Sequence, residues 1–263
     1  MHIGCGGGQT VPLNCTNGTT PTRPHQRIAQ VTPKRRRSCD NPHFTGVHTA
    51  TSPKGPWTVA LGGQPVTVQQ PPHAPPPWHD GTAITNPSLW PLANDSGVLL
   101  AYSAGCPLCN ISKGHKHIGL AFGANWSGPF VDLTPAAPIF PFASEDPCIF
   151  VSPDTGTYHI LAHTDATGSA ERPAVWPHVS AHAFADDPRG NWTVSAIPPY
   201  TRQITWEDGT VTEVETRERP QVIFIGGVPS LLTNGVKPGN ATSPATPAGY
   251  TGDWSYTHVQ RIG

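Results

Sequence analysis

Three segments of the chain repeat one pattern, in which a short polar stretch is followed by a proline and then by an apolar run. Their prolines are Pro87, Pro147 and Pro220. A turn and a second apolar run follow each segment, an order typical of a β-hairpin. The chain also contains 32 Pro and 27 Gly, which leave little room for long helices. The repeats therefore predict an all-β protein assembled from hairpins.

A second type of segment alternates with the first. It consists of a strand of small residues, a turn that contains Gly, and an aromatic residue, and it occurs at residues 46–57, 117–130 and 178–192. Together the two types make a four-stranded antiparallel unit that recurs at intervals of roughly 60 to 70 residues, which is typical of a β-propeller blade. A large β-sandwich also has evenly spaced short strands and is the alternative.

The number of these units predicts an incomplete ring of about three and a half to four blades. Residues 25–60 supply only the outer half of the earliest blade, and residues 254–262 complete the last one. Residues 62–82 are predicted to be a loop. We expect a single domain over residues 1–263, with an irregular N-terminal segment at 1–24, because one all-β domain commonly reaches this length. A five-bladed ring would need additional material on the N-terminal side.

Glycosylation signals and cysteines predict passage through the secretory pathway. Seven asparagines lie in N-x-Ser/Thr sequons, more than the Ser and Thr content would produce by chance: Asn14, Asn17, Asn94, Asn110, Asn125, Asn191 and Asn240. The six cysteines fit an oxidising compartment. Among them, Cys106 and Cys109 are predicted to form a local disulfide bond. We expect a secreted, disulfide-containing glycoprotein.

Composition and motifs exclude several partners. The formal net charge is −1, so the chain lacks the basic stripe of a nucleic-acid-binding protein. No segment reaches the roughly 18 consecutive apolar residues of a membrane span. The Cys106-x-x-Cys109 motif lacks a second pair at zinc spacing. We therefore expect no nucleic acid, no membrane span, no metal and no other cofactor, and we expect a monomer.

The polar residues before the three prolines are the candidate site. In a propeller the innermost strand of each blade lines the central channel, so the starts of these strands converge. The residues in question are Asn86, Glu145, Asp146, Arg217, Glu218 and Arg219. Salt bridges that close the channel are the alternative. Because successive strand residues point to opposite faces, we expect Glu145 and Asp146 to face opposite sides of the channel wall.

These motifs resemble, in their order, glycoside hydrolase family 43 and its uncharacterised five-bladed relatives, over roughly residues 40–262. The resemblance implies a five-bladed β-propeller. Ser144-Glu145-Asp146-Pro147 matches the family's general-acid motif, so the resemblance implies Glu145 as proton donor. Thr85-Asn86-Pro87 matches the motif that adjusts the pKa of the acid, with Asn in place of Asp. The blade that carries the family's catalytic base is not found in the sequence. Glu218 is the candidate to replace the carboxylate missing at position 86, although the flanking Arg217 and Arg219 suit it better as a base or as a structural ion-pair partner.

The resemblance implies a glycoside hydrolase that acts on a poly- or oligosaccharide by inversion. One carboxyl then protonates the leaving oxygen while a second carboxylate activates water. The candidate catalytic residues are Glu145, Asp146 and Glu218, and the candidate carbohydrate-binding residues are Asn86, His163, Arg217, Arg219 and Asn234. A structural role is the alternative for His163. A non-catalytic glycan-binding or surface-structural propeller is the alternative for the whole chain, favoured by Asn86 and by the number of sequons.

Overall fold

The computed structural model describes residues 45–52, 54–75, 77–79, 84–106, 116–164, 178–239 and 255–262. These residues form fifteen β-strands and two 3-10 turns, and none of them lies in an α-helix. The strands are β1 (His48–Thr49), β2 (Thr58–Val59), β3 (Val68–Gln69), β4 (Thr85–Pro91), β5 (Val98–Gly105), β6 (Lys116–Gly123), β7 (Phe130–Asp132), β8 (Ser144–Val151), β9 (Tyr158–Thr164), β10 (Ser180–Ala185), β11 (Thr193–Val194), β12 (Gln203–Thr205), β13 (Val211–Ile225), β14 (Val228–Pro238) and β15 (Tyr256–Arg261). The 3-10 turns are Leu61–Gly63 and Ala93–Asp95. The all-β prediction is confirmed.

The strands form three large sheets and one two-stranded sheet. Strands β4 to β7 pair in sequence order, with β3 added outside β7; strands β8 to β11 pair in sequence order; and strands β12 to β15 do the same. The small sheet pairs β1 with β2. Strand β8 contacts both β4 and β13. The sheets are therefore successive blades of a propeller around inner strands β4, β8 and β13, and a two-layer sandwich does not describe them.

The three repeated prolines occupy these inner strands. Pro87 lies in β4, Pro147 in β8 and Pro220 in β13, which belong to three different sheets. The prediction that each proline marks a separate blade is confirmed. Strand β13 differs from the expectation in one respect, because it begins at Val211, well before its proline, and its first part pairs with β12.

The loop predicted at residues 62–82 contains a short strand, so that prediction is partly wrong. Strand β3 pairs in parallel with β7, with Val68 opposite Phe130. Val66 and Val68 are both buried in the core of the first large sheet. A strand of two residues has no alternation that a sequence pattern could reveal, and its pairing depends on a partner more than sixty residues away.

The wedge between the first two large sheets holds the main core. One face comes from β5 and β6, with Leu99, Ala101, Ile118 and Leu120, and the other comes from β8, β9 and β10, with Ile149, Ile160, Ala162, Ala181 and Ala183. A second, smaller core lies between the second and third sheets and contains Cys148, Leu161, Tyr200 and Leu232. Because side chains alternate along each strand, one row of β8 and β9 packs against each neighbouring sheet.

A buried polar network stabilises the outer part of the first sheet. The carboxylate of Asp132 lies 3.0 Å from Nε2 of His79 and accepts hydrogen bonds from Gln70, Tyr102 and Thr134. The side chains of His79 and Asp132 are fully buried. Burial by itself would raise the pKa of Asp132, but the hydrogen bonds from His79, Thr134 and Gln70 outweigh it and lower this pKa below its ordinary value.

Some sequence-based expectations fall outside the described residues. They include the irregular segment 1–24 and Cys109, so the disulfide predicted between Cys106 and Cys109 stays a prediction; Cys106 itself is buried. The single-domain assignment of residues 1–263 also stays a prediction. Among the described residues, no helix has the length and apolar character that a membrane crossing requires.

Candidate functional site

The three inner strands carry the same β-bulge at the same place. In each case two residues of the inner strand lie opposite one residue of the neighbouring strand. The paired residues on either side of the bulge are Thr85–Ser103 and Ser88–Ala101 in the first blade, Glu145–His163 and Cys148–Leu161 in the second, and Glu218–Gly235 and Gln221–Thr233 in the third. A bulge locally changes the direction of the side chains. The repeated bulge therefore makes Thr85, Glu145 and Glu218 equivalent positions of three blades.

The residue before each proline has a left-handed backbone. The φ angles are 50° for Asn86, 55° for Asp146 and 52° for Arg219. This region is uncommon for residues other than glycine, and a following proline restricts the backbone further. Strained residues of this kind persist where the surrounding structure fixes them, and they cluster at functional sites. The polar residues singled out from the sequence thus share one unusual conformation in three blades.

The bulge brings Glu145 and Asp146 together. One carboxylate oxygen from each lies within 4.8 Å of the other and of a ring nitrogen of His163. The expectation that Glu145 and Asp146 face opposite sides is therefore wrong. Strict alternation applies to a regular strand, and the left-handed residue at position 146 interrupts it.

His163 lies between two of the carboxylates. Its Nδ1 is 3.9 Å from Oε1 of Glu145, and its Nε2 is 4.0 Å from Oε1 of Glu218. Strand β9 delivers this histidine from the position opposite Glu145. Side-chain exposure decreases from 39% for Glu145 to 26% for Glu218 and 6% for Asp146. Glu145, Asp146, His163 and Glu218, here called the carboxylate cluster, thus have a solvent-reachable side and a buried side.

Asp146 has the most perturbed carboxyl of the cluster. Burial is the main cause that raises its pKa from the ordinary 3.8 to about 7, and the negative charges of Glu145 and Glu218 raise it further. The cations Arg219 and Lys116 act in the opposite direction. Its Oδ2 atom is buried and has no hydrogen-bond donor among the described residues. A buried carboxylate without such donors is costly, so Asp146 retains its proton close to neutral pH.

Two cations border the cluster. Arg219 places Nη1 3.4 Å from Oε2 of Glu218 and Nε 4.0 Å from Oδ2 of Asp146, and its side chain is 52% exposed. The ammonium group of Lys116 donates a hydrogen bond to the hydroxyl of Thr85. The sequence analysis did not identify Lys116 as a site residue. The available signal was its position at the start of β6, which lies at the same edge of the first sheet as the start of β4.

Arg217 and Asn234 lie beneath the cluster in a buried network. Arg217 donates hydrogen bonds to Oδ1 of Asn234 at 3.0 Å and to Oε1 of Gln260 at 2.9 Å, and its guanidinium lies 5.0 Å from the ring centroid of Tyr200. Nδ2 of Asn234 donates to the carbonyl of Glu218 at 3.3 Å. Both Arg217 and Asn234 are at most 2% exposed. This placement holds the backbone of the third bulge, and the predicted contact of the two residues with carbohydrate stays a prediction.

Asn86 lies on β4, next to the inner strand of the cluster. The backbone N–H of Ile149 in β8 donates a hydrogen bond to Oγ of Ser88 at 3.0 Å, which ties the two inner strands together. Asn86 occupies the position in β4 that Asp146 occupies in β8. The first blade therefore presents a neutral amide where the second presents a carboxyl.

Glu145, Asp146 and His163 could also hold a metal ion. Each offers one donor atom, and these atoms lie within 4.8 Å of one another. Two carboxylate oxygens and an imidazole nitrogen suit several divalent cations. The spacing of Cys and His residues along the chain predicted no metal site. It could not indicate this group, because its residues come from two different strands, β8 and β9.

A cavity of about 310 Å³ lies at the opposite edge of the blades. Its lining is polar and apolar in equal parts and comprises Leu92, Leu99, Phe122, Leu133, Tyr158 and residues 186–189. Tyr158 begins β9, whereas His163 lies near its end. The cavity and the carboxylate cluster are therefore separate features.

Comparisons with known proteins agree with this topology. A BT0996 RGII complex superposes with a TM-score of 0.51 at 12% identity, over 84% of this chain and 57% of the other protein. An endo-arabinase from Bacteroides thetaiotaomicron VPI-5482 gives 0.48 at 13% identity, over 84% and 66%. A xylan β-1,4-xylosidase from Bacillus halodurans C-125 gives 0.48 at 14% identity, over 84% and 35%. The described blades have the fold of a β-propeller.

The predicted β-propeller architecture is thus confirmed. The chain spans 35% of the length of the xylosidase and 66% of the length of the arabinase. No protein-family model matches the sequence, and no curated protein matches it. At such low identity the similarity concerns the fold, and the function must be argued from the site.

Proposed function

We propose that this chain is a glycoside hydrolase that cleaves a poly- or oligosaccharide by inversion at the carboxylate cluster. The observation that carries the proposal is the cluster itself, in which a carboxyl that retains its proton close to neutral pH lies beside two more exposed carboxylates. Pairs of carboxyls whose environments separate their pKa values are typical of acid–base catalysis. A fold of the glycoside hydrolase family 43 type supports the proposal.

Glu145 is the proposed proton donor, with Asp146 as its proton-sharing partner. Glu145 is the most exposed of the three carboxyls, so a glycosidic oxygen can reach it, whereas Asp146 is 6% exposed. Carboxylate oxygens of the two residues lie within 4.8 Å of each other, and burial together with the negative charge of Glu145 raises the pKa of Asp146 to about 7. In this proposal Asp146 holds the proton in the resting state and passes it to Glu145, which presents it to the substrate.

Glu218 is the proposed base. Glu218 lies on the other side of His163 from Glu145, with the two ring nitrogens 4.0 Å and 3.9 Å from the respective carboxylate oxygens. Inverting glycosidases hold their carboxyls roughly 6.5 to 9.5 Å apart, which leaves room for the attacking water. Arg219 places its positive charge beside this carboxylate, with Nη1 3.4 Å from Oε2 of Glu218.

The remaining site residues have supporting roles in this proposal. His163 orients the two glutamates, and the exposed guanidinium of Arg219 is available to sugar hydroxyls together with Asn86. Arg217 and Asn234 fix the backbone of Glu218 from below. We further propose that the protein acts as a secreted monomer, which size-exclusion chromatography with light scattering of the protein recovered from culture medium would test.

The test is a screen of the purified protein against a polysaccharide panel with reducing-sugar detection. We expect release of reducing ends from at least one substrate and loss of this release in Glu145→Gln and Glu218→Gln. Proton NMR of the first product should show the anomer opposite to the substrate linkage. Retention of configuration would refute inversion, and full activity of Glu145→Gln would refute the assignment of the acid.

A non-catalytic glycan-binding propeller is the second candidate. Two observations favour it: Asn86 replaces a carboxyl in the first blade, and Arg219 engages Glu218 at 3.4 Å. In that case the panel would show binding by calorimetry without release of reducing ends. Glu145→Gln would then change affinity by a modest factor, because the glutamate would only contribute a hydrogen bond.

A further inference from the structure

The blades have two chemically different edges. In the first two large sheets the chain runs from the edge that carries the carboxylate cluster to the opposite edge along β4, β6, β8 and β10, and it returns along β5 and β9. The turns β4–β5, β6–β7 and β10–β11 therefore lie at the edge away from the carboxylate cluster, here called the far edge. In β9, Tyr158 at the far edge precedes His163 in the cluster by five positions, and five residue steps along an extended strand correspond to about 17 Å.

Every sequon within the described residues lies in one of these far-edge turns. Asn94 is in the turn between β4 and β5, Asn125 in that between β6 and β7, and Asn191 in that between β10 and β11. All three asparagines are exposed. Asn14, Asn17, Asn110 and Asn240 lie outside the described residues. The three positions are far apart in sequence and share an edge only because each follows an outward-running strand.

We infer that Asn94, Asn125 and Asn191 carry N-linked glycans and that these glycans occupy the far edge, away from the carboxylate cluster. In the modification, the carboxamide nitrogen of Asn loses one proton and forms a bond to the anomeric carbon of an oligosaccharide. The donor is a lipid pyrophosphate-linked oligosaccharide, and the lipid pyrophosphate is the leaving group. The step requires no oxidant or reductant.

Local contacts are compatible with a glycan at these positions. The side-chain oxygen of Asn125 accepts hydrogen bonds from the backbone N–H and the hydroxyl of Ser127, so the carboxamide nitrogen points elsewhere and is available. The hydroxyl of Ser96 donates a hydrogen bond to the carbonyl oxygen of Ala93 at 2.8 Å, within the exposed turn that contains Asn94. A bulky polar glycan requires a surface position, which all three turns provide.

The inference also explains how a heavily glycosylated chain can keep its cluster accessible. Glycans in the three far-edge turns extend from the end of the sheets about 17 Å from His163. Sequons at these positions therefore do not favour a purely structural propeller over a catalytic one.

Glycopeptide mass spectrometry tests the occupancy. The chain is secreted from a eukaryotic host and analysed before and after treatment with a peptide N-glycosidase, which converts a glycosylated Asn to Asp. We expect conversion at Asn94, Asn125 and Asn191. Matched variants separate glycan loss from the loss of the asparagine: Ser96→Ala, Ser127→Ala and Thr193→Ala keep each asparagine but remove the sequon, and each should remove the same glycan as the corresponding Asn→Gln change. Secreted protein that is unmodified at these positions would overturn the inference.

A second measurement tests the separation of glycans and cluster without relying on catalysis. The measurement uses a variant with Asn14→Gln, Asn17→Gln, Asn110→Gln and Asn240→Gln. A water-soluble carbodiimide and an amine label its exposed carboxylates, and mass spectrometry follows the labelling rates at Glu145 and Glu218. We expect the same rates with and without the three far-edge glycans. Labelling that becomes severalfold faster after glycan removal would refute the placement. This outcome differs from failure of the proposed hydrolysis, which the labelling does not use.

Discussion

Asp146→Asn should stabilise the protein at neutral and alkaline pH while it removes hydrolysis. In the folded protein the pKa of Asp146 is raised from 3.8 to about 7, chiefly by burial and secondly by Glu145. Ionisation of Asp146 therefore costs folding free energy. This cost is absent below the unfolded pKa near 3.8, grows between pH 3.8 and 7, and is complete above pH 7.

The size of the effect follows from the shift. A rise from 3.8 to about 7 is about three pKa units, and each unit corresponds to 1.36 kcal/mol, so the ionised carboxylate costs about 4 kcal/mol as an upper value. Asparagine removes the charge and suits a left-handed backbone, since Asn86 already occupies the equivalent position with φ 50°. The variant should gain stability over the wild type as pH rises from 4 to 8.

Urea denaturation at pH 4, 6 and 8 measures this difference. The control is Asp132→Asn, which should lower the free energy of unfolding at neutral pH where Asp146→Asn raises it. Hydrogen bonds lower the pKa of Asp132 against the opposing effect of burial, so its ionised form stabilises the fold above its ordinary pKa and that contribution is lost as pH falls. The control should therefore be less stable than the wild type at pH 6 and 8, with a deficit that decreases only as the pH falls below about 3.8. A stability difference for Asp146→Asn that does not change between pH 4 and 8 would refute the reasoning.

Three further changes test the remaining elements of the structure. Glu145→Gln should abolish release of reducing sugar with little change in melting temperature, because this side chain is 39% exposed; a large loss of stability would instead indicate a closed ionic plug. Arg217→Met should lower the free energy of unfolding by about 2 kcal/mol, since it leaves the buried Oδ1 of Asn234 without its donor, whereas the exposed Arg219→Ala should change it by about 0.5 kcal/mol or less in urea titrations. Gly119→Ala should be strongly destabilising in calorimetry, because a Cβ would lie 2.4 Å from the ring of a buried tyrosine; Gly105→Ala, with open space at the Cβ position, is its control and should leave the melting temperature nearly unchanged.

The carboxylate cluster also shows why a local strand pattern can mislead about side-chain direction. Alternation along β8 predicts that Glu145 and Asp146 point to opposite faces, and they instead approach within 4.8 Å. The cause is the bulge, whose pairing with His163 and Leu161 is set by the neighbouring strand. The proline that follows Asp146 is visible in the sequence, but the left-handed backbone before it is not.

The amino-acid sequence by itself determined the blades of this protein. Hairpin repeats, frequent Pro and Gly, and polar residues before Pro87, Pro147 and Pro220 are local patterns, and strands and turns form from local patterns. Only the tertiary structure decided the parallel pairing of β3, the approach of Lys116 to the cluster and the raised pKa of Asp146. Each of these depends on burial and on contacts between residues distant in the chain, and no short segment of sequence encodes such contacts.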